Sequence, residues 1–388
     1  MSRDERKSLI AEIEKLRASR IIAYVTGDRA PIPAQIGDDA VRPIYQHIRE
    51  LGHVPKLDLL LYSRGGATDV PWRIVSALRR TSDEWNVLIP FRANSAATLL
   101  ALGADNIVMG AQGELGPIDP SMTVRRIVPG PGGQGAFMQD QISVEDVMAF
   151  VKFVQERGGL RDESAMARSL EKLSDRVDPV ALGSLYRTHS HIRDVARRIL
   201  MSRHKPQGEE IIERIVSTLA EKVYAHGHAI GVAAAQEVGL PVEVADSKLD
   251  GLLWKLLEAY ERDLKLLQPL DPATAVASQD RYVEDACICV VEGTHAIDEF
   301  VGQIEIRARR QMPPTLQVSL NLNLQLPPNM NVQQLQPNAQ QLLQQIMQMA
   351  QQAAMQQAQQ AVQQALQSQA PLIAAEAAFR DGRWERKP

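Results

Sequence analysis

The chain has 388 residues, a formal net charge of -4 and 45% hydrophobic residues, enough to bury a full core. Its charges are mixed, so it lacks the concentrated basic face that nucleic-acid binding requires. No apolar run reaches the roughly 18 residues of a membrane span, and the N-terminus is too charged for a secretory leader; the sequence reads as soluble and cytoplasmic, with no integral membrane span.

In chain order, residues 4–18 carry Leu9, Ile10, Ile13 and Leu16 on one stripe among charges, the pattern of an amphipathic helix. Ile21 to Val25 is the first expected strand, and the segment GDRAPIPAQIGDD that follows reads as a mobile loop. Asp39 is placed to cap a helix running to about Glu50. Three segments then organise the chain. Leu57 to Tyr62 is an apolar strand ending in the turn Ser63-Arg64-Gly65-Gly66, followed by a helix from Val70 to Arg80. Val87 to Phe91 is a second strand, leading through Arg92-Ala93-Asn94-Ser95 into a small-residue helix, Ala96 to Ala104. Ile107 to Met109 is a third. This strand–helix alternation predicts an α/β fold with a parallel sheet, whose chemistry sits at the strand ends.

Residues 121–140 are rich in Pro and Gly and read as an exposed excursion. Ser143 is placed to cap the next helix, which carries Lys152 beside an apolar stripe. Helices are expected at 162–173, 179–202, 207–225 and 228–238, the last closed by Gly239. A strand at Val242 to Val244 and a helix from Leu249 to Leu267 follow. Alternating patterns at 281–290, 302–308 and 316–326 predict half-buried strands. Two cysteines, Cys287 and Cys289, are too few for a disulfide scaffold, and their alternation puts both on one face of a strand. Beyond Pro327 the chain is glutamine-rich. Leu335, Ala339, Leu342, Ile346, Met349 and Ala353 recur at spacings of four and three, so a helix about 57 Å long, or a low-complexity tail, is expected.

Two short signals carry chemistry. Gly65 and Gly66 directly follow a strand; lacking Cβ atoms, they let backbone N–H groups approach a ligand, as an oxyanion site needs, or they simply form a turn. Ser95 opens a helix built from Ala96, Ala97 and Thr98, where small residues keep a hydroxyl approachable and the helix dipole favours an alkoxide; read otherwise, Ser95 or Asn94 is an N-cap.

SRGG, then ANSAATLLALGAD, IVMG and ELGPIDP, together resemble the Clp-type/crotonase-like serine hydrolase superfamily, and within it the serine dehydrogenase proteinase family, related to signal peptide peptidase A. The resemblance spans about residues 20–265. It implies an α/β fold with a Clp/crotonase-like ββα spiral core, homo-oligomerisation, and cleavage of a peptide or protein substrate through an acyl-enzyme. Ser95 would be the nucleophile, with Gly65 and Gly66 as backbone oxyanion donors. Together with the patterns above, the expected organisation is an N-terminal helix (1–19), a hydrolase domain (20–270), a small β-rich segment (271–328) and, outside the resemblance, the Gln-rich tail (329–388). Relatives use either a histidine or a distal lysine as base. Asp119 sits near the histidine's place but cannot substitute for it. Lys152 fits the lysine layout if burial lowers its pKa, and His189 and His226 are the remaining choices. His191 and His228 sit two residues from those histidines, and no ligand spacing supports a metal or cofactor. A non-catalytic oligomeric scaffold and a coenzyme A thioester enzyme remain alternatives from other classes.

Overall fold

The computed structural model describes residues 3–118, 121–129, 135–160, 162–175, 177–222, 229–311 and 336–388. Met1–Pro269, Ala286–Gly302 and Gly382–Pro388 form one compact unit, and Leu270–Asp285 with Gln303–Asp381 form a second.

The first unit begins with α1 (Arg3–Arg17), β1 (Arg20–Thr26), α2 (Val41–Leu51), β2 (Val54–Tyr62), α3 (Val70–Thr81) and β3 (Ser82–Ile89). The short β4 (Arg92–Ala93), α4 (Ala96–Leu102), β5 (Asn106–Met109) and β6 (Glu114–Leu115) complete the stretch singled out in the sequence. β1, β2, β3 and β5 pair in parallel, each with the next, and β5 pairs with β9 (Val242–Val244). β4 and β6 pair separately, also in parallel.

Both faces of this sheet are covered, which is why its strands read as continuous apolar runs rather than alternating ones. Ile22, Tyr24, Leu59, Leu61, Val87, Ile89, Ile107 and Met109 face one core, filled by α2, α3, α4 and the helices α7 (Pro179–Met201), α8 (Glu209–Ser217) and α9 (Val232–Val238). Their neighbours Ile21, Ala23, Val25, Leu60, Tyr62, Leu88 and Val108 face the other, against α1 and α10 (Ser247–Asp263). The alternation follows from the strand period of two. With both faces closed, the exposed polar chemistry is confined to the strand ends.

Several expectations change. The Pro/Gly excursion is a hairpin, β7 (Ser121–Pro129) paired antiparallel with β8 (Gly135–Ser143). The glycine- and proline-rich loop after β1 is tied down: Ala34 N–H donates to Gly27 O at 2.7 Å, and buried Ile36 bridges Gly66. α5 (Val144–Lys152) and α6 (Glu163–Ser174) follow the hairpin as expected. Gly239 closes α9 at φ +108°, the left-handed cap its sequence position implies.

β10 (Arg281–Glu292) pairs antiparallel with β1, Thr26 opposite Cys289. Its cysteines do not share a face. Cys289 lies in the first core and Cys287 against the second, because Ile288 and Cys289 both pack toward the first. Burial pushes the thiols of both residues up, Cys287 to about 12. β11 (Ile297–Arg310) follows; the expected strand at 316–326 and Leu335 lie outside the described residues.

In the second unit, Glu305 accepts from Arg307 and Arg281, at 2.9 and 2.6 Å, which hold its carboxyl below the usual range. The Gln-rich stretch forms α12 (Pro337–Gln369), with Leu342, Ile346 and Met349 at least half exposed. Composition had merged everything beyond it into the tail, yet β12 (Leu372–Lys387) is a strand. Its end belongs to the first unit, where Trp384 stacks on Phe300 and donates Nε1–H to Asp39 Oδ2 at 2.8 Å.

Asp105, the last residue of the ANSAATLLALGAD segment, joins the end of α4 to the sheet. Burial alone would raise its pKa; hydrogen bonds from Arg79 at 2.6 Å and from the N–H groups of His204 and Trp85 outweigh that and hold it low. A depressed folded-state pKa stabilises the protein, fully above the unfolded value near 3.9, and the contribution is lost as pH falls from there through the lowered folded-state value. Asp105→Asn therefore lowers unfolding free energy by about 1–3 kcal/mol at pH 7, and urea titrations show the deficit shrinking below about pH 4.

Candidate active site

β2 delivers its last residue, Tyr62, to the edge of the buried sheet, and the turn Ser63–Gly66 begins there. Ser63 is fully buried. Its Oγ accepts from Thr26 Oγ1 at 2.7 Å and from the Gly65 N–H at 3.0 Å. The turn is also laced to the next strand end, Ser63 N–H donating to Arg92 O and Asn94 N–H to Ser63 O, both at 3.0 Å. Gly65 and Gly66 adopt φ of +109° and +152°, open only to glycine without strain. Across from them, Ile36 N–H donates to Gly65 O and Ala67 N–H to Ile36 O.

This lacing presses the turn onto Ser95. A Cβ on Gly65 would lie 2.7 Å from Ser95 Cβ, 2.8 Å from Asn94 O and 3.1 Å from Ala96 N; one on Gly66 would lie 2.4 Å from Ile36 O. The two strand-end signals therefore meet at one place, as expected. Ser95 has φ +53° and ψ -117° and, at the N-cap position of α4, makes no capping bond. That backbone costs a residue with a side chain about 1–3 kcal/mol and matches the sharp strand-to-helix turn on which nucleophilic serines are displayed. Neither N-cap reading holds, since Asn94 Oδ1 is buried without a partner among the described residues.

The N–H groups of Gly66 and Ala96 make no hydrogen bond within the described residues, whereas that of Gly65 is held by Ser63. Ala96 N–H was missed by sequence reasoning; the residue after a helix-opening serine always presents such a donor, which is the signal that could have found it. Behind Ser95, Thr98 Oγ1 accepts from Gly116 N–H at 3.1 Å and lies 2.7 Å from Ala93 O, fixing the Gly116-Pro117-Ile118 stretch to α4. Leu115 pairs with Ile230, and Ile118 N–H donates to Leu219 O at 3.0 Å.

No described side chain donates to or accepts from the Ser95 hydroxyl. Lys152 is exposed at the end of α5, as is neighbouring Phe153, so the burial expected around it is missing. His189 and His191 lie along α7, half-buried and exposed. Asp119, His226 and His228 lie outside the described residues. No group of three metal-ligating side chains occurs among the described residues, and no described helix is long and apolar enough to cross a membrane. Arg64 and Arg92 at the rim are both turned to Asp28, Arg92 also to Glu114 at 3.2 Å.

A covered parallel sheet whose ends hold a strained serine, a glycine turn and unengaged N–H groups is a mixed α/β architecture with its polar groups gathered at the strand ends. Residues 2–131, which contain the glycine turn, Ser95 and the N–H groups of Gly66 and Ala96, match the family of ClpP-like SDH-type serine proteinases, as the sequence resemblance had indicated. Two uncharacterized proteins of Methanocaldococcus jannaschii are similar. One is 23% identical over 67% of this chain and 80% of its own length. The other is 32% identical over 30% of this chain and 42% of its own length. A probable enoyl-CoA hydratase/isomerase from Mycobacterium abscessus aligns over 59% of this chain and 66% of its own, at 14% identity and a TM-score of 0.23, too low to add to the argument.

Gly65→Ala combines a forbidden backbone angle with a clash against backbone atoms, and should cost about 2–5 kcal/mol by chemical denaturation. A value under 1 kcal/mol would mean the turn does not press on Ser95.

Proposed function

We propose that the chain is a serine peptidase whose nucleophile is Ser95. The observation that carries the reading is the strained, uncapped Ser95 with the Gly65 backbone against its Cβ and the unengaged Ala96 N–H beside it. The family match over residues 2–131 supports the same chemistry.

In this reading the substrate carbonyl enters between the glycine turn and the start of α4. Ser95 Oγ attacks its carbon while the hydroxyl proton leaves to a base. The oxygen, now negative, is held by Ala96 N–H and by the turn's N–H groups, Gly66 and, where Ser63 releases it, Gly65. Such donors stabilise the transition state because charge develops only there. The C–N bond then breaks, the amine departs with the proton, and water frees the acyl group while restoring the serine. No named residue is assigned as the base: Lys152 has neither the burial nor the contact that role needs in a single chain.

The full chain should react with a fluorophosphonate probe at Ser95, located by peptide mass spectrometry. Ser95→Ala should lose labelling and reduce hydrolysis of an unstructured protein substrate about 10³-fold or more, with the fold intact by circular dichroism. The rate of labelling against pH then reports the base: an inflection near 6–7 indicates an imidazole, one above 7 a lysine. A folded chain that the probe does not label overturns the reading and leaves a non-catalytic scaffold.

A further inference from the structure

The residues on either side of Ser63 converge on one carboxylate. Asp28, two residues beyond the end of β1, is one-tenth exposed; its Oδ1 accepts from Tyr62 OH at 3.0 Å and its Oδ2 from Arg64 Nε at 2.5 Å. Arg92 Nη1 stands 3.7 Å from the same oxygen, and Arg92 Nε donates to Glu114 Oε1. Thr26, two residues before Asp28, holds Ser63 itself. One short segment therefore grips three successive residues, the last of β2 and the first two of the turn: 62, 63 and 64. It reaches the second strand end, which carries Ser95, through Arg92.

We propose that Asp28 is a positioning residue: it fixes the Ser63–Gly66 turn against Ser95, and it does so without touching substrate. The cationic pair at the rim supports this over substrate recognition. Arg64 and Arg92 together carry two positive charges, and Asp28 and Glu114 two negative ones, all four within one chain of contacts. The guanidinium groups are thus committed to the turn. Tyr62 is committed as well: burial, then the neighbouring Asp28 charge, raises its pKa, so the phenol stays a donor throughout the physiological range. A carboxylate that accepts from a phenol and a guanidinium, one on each oxygen, with a second guanidinium 3.7 Å away, is a directional clamp. Catalytic geometry tolerates only about 0.5 Å of drift in donors of this kind.

The role in catalysis rests on the hydrolase reading; the clamp itself does not, and two measurements separate them. Hydrogen–deuterium exchange of the full chain at neutral pH reads the clamp directly. Asp28→Asn, which keeps the size but removes the charge that binds Arg64, should speed exchange of the peptide covering 60–67 about 10-fold. Tyr62→Phe, which removes a single donor and keeps the ring, should give a smaller increase and serves if the first variant does not fold. Unchanged exchange in both overturns the clamp. The second measurement is Ser95-dependent turnover: kcat of Asp28→Asn should fall about 10–100-fold with KM within a few-fold, and Asp28→Glu should recover part of it. Faster exchange with unchanged kcat overturns the catalytic role. Wild-type protein without Ser95-dependent turnover overturns the hydrolase reading, while the exchange result still decides the clamp.

Discussion

The approach of the Gly65 backbone to Ser95 is closer than any side chain at position 65 would permit, and the candidate site is arranged around that contact. It requires two glycines at positive φ, a buried serine hydroxyl beneath them, and a loop from the end of β1 that holds the turn from the other side. It also requires α4 to start abruptly. The price is a serine in a backbone region that other residues avoid, and the seven-residue helix that follows is wholly buried, so its position is set by packing rather than by capping.

The sheet explains why this contact can be held. Its strands are buried on both faces, and successive residues of β1, β2 and β3 alternate between the two cores. Slipping one strand by a residue would exchange every core side chain, so register is fixed and strand ends are placed to a fraction of a residue. Functional groups at those ends inherit that accuracy. Asp105, Arg79 and the Trp85 backbone lock the far end of α4 in the same way, far from the serine but on the same short helix.

Local patterns told much of this in advance. The apolar runs ending in Tyr62 and Phe91, and the small residues after Ser95, identified the strands, the helix and their meeting place. What escaped was whatever depends on partners distant in sequence. Asp28 sits among glycines and prolines that look like a free loop, and only Tyr62 and Arg64, more than thirty residues on, give it a purpose. The hairpin at 121–143 pairs segments whose individual strand signals are weak beside their prolines and glycines. The last strand looked like more tail because its anchors, Phe300 and Asp39, lie elsewhere in the chain. Ile288 and Cys289 pack toward the same core, which leaves Cys287 facing the other, and strict alternation has no means of anticipating that.

The left-handed backbone of Ser95 has a consequence for engineering. Glycine adopts φ +53° without penalty, so a library screened only for heat resistance would drift toward glycine there and discard the hydroxyl. At this position robustness and reactivity pull in opposite directions, and any thermostabilised descendant should be sequenced at codon 95 before its activity is judged.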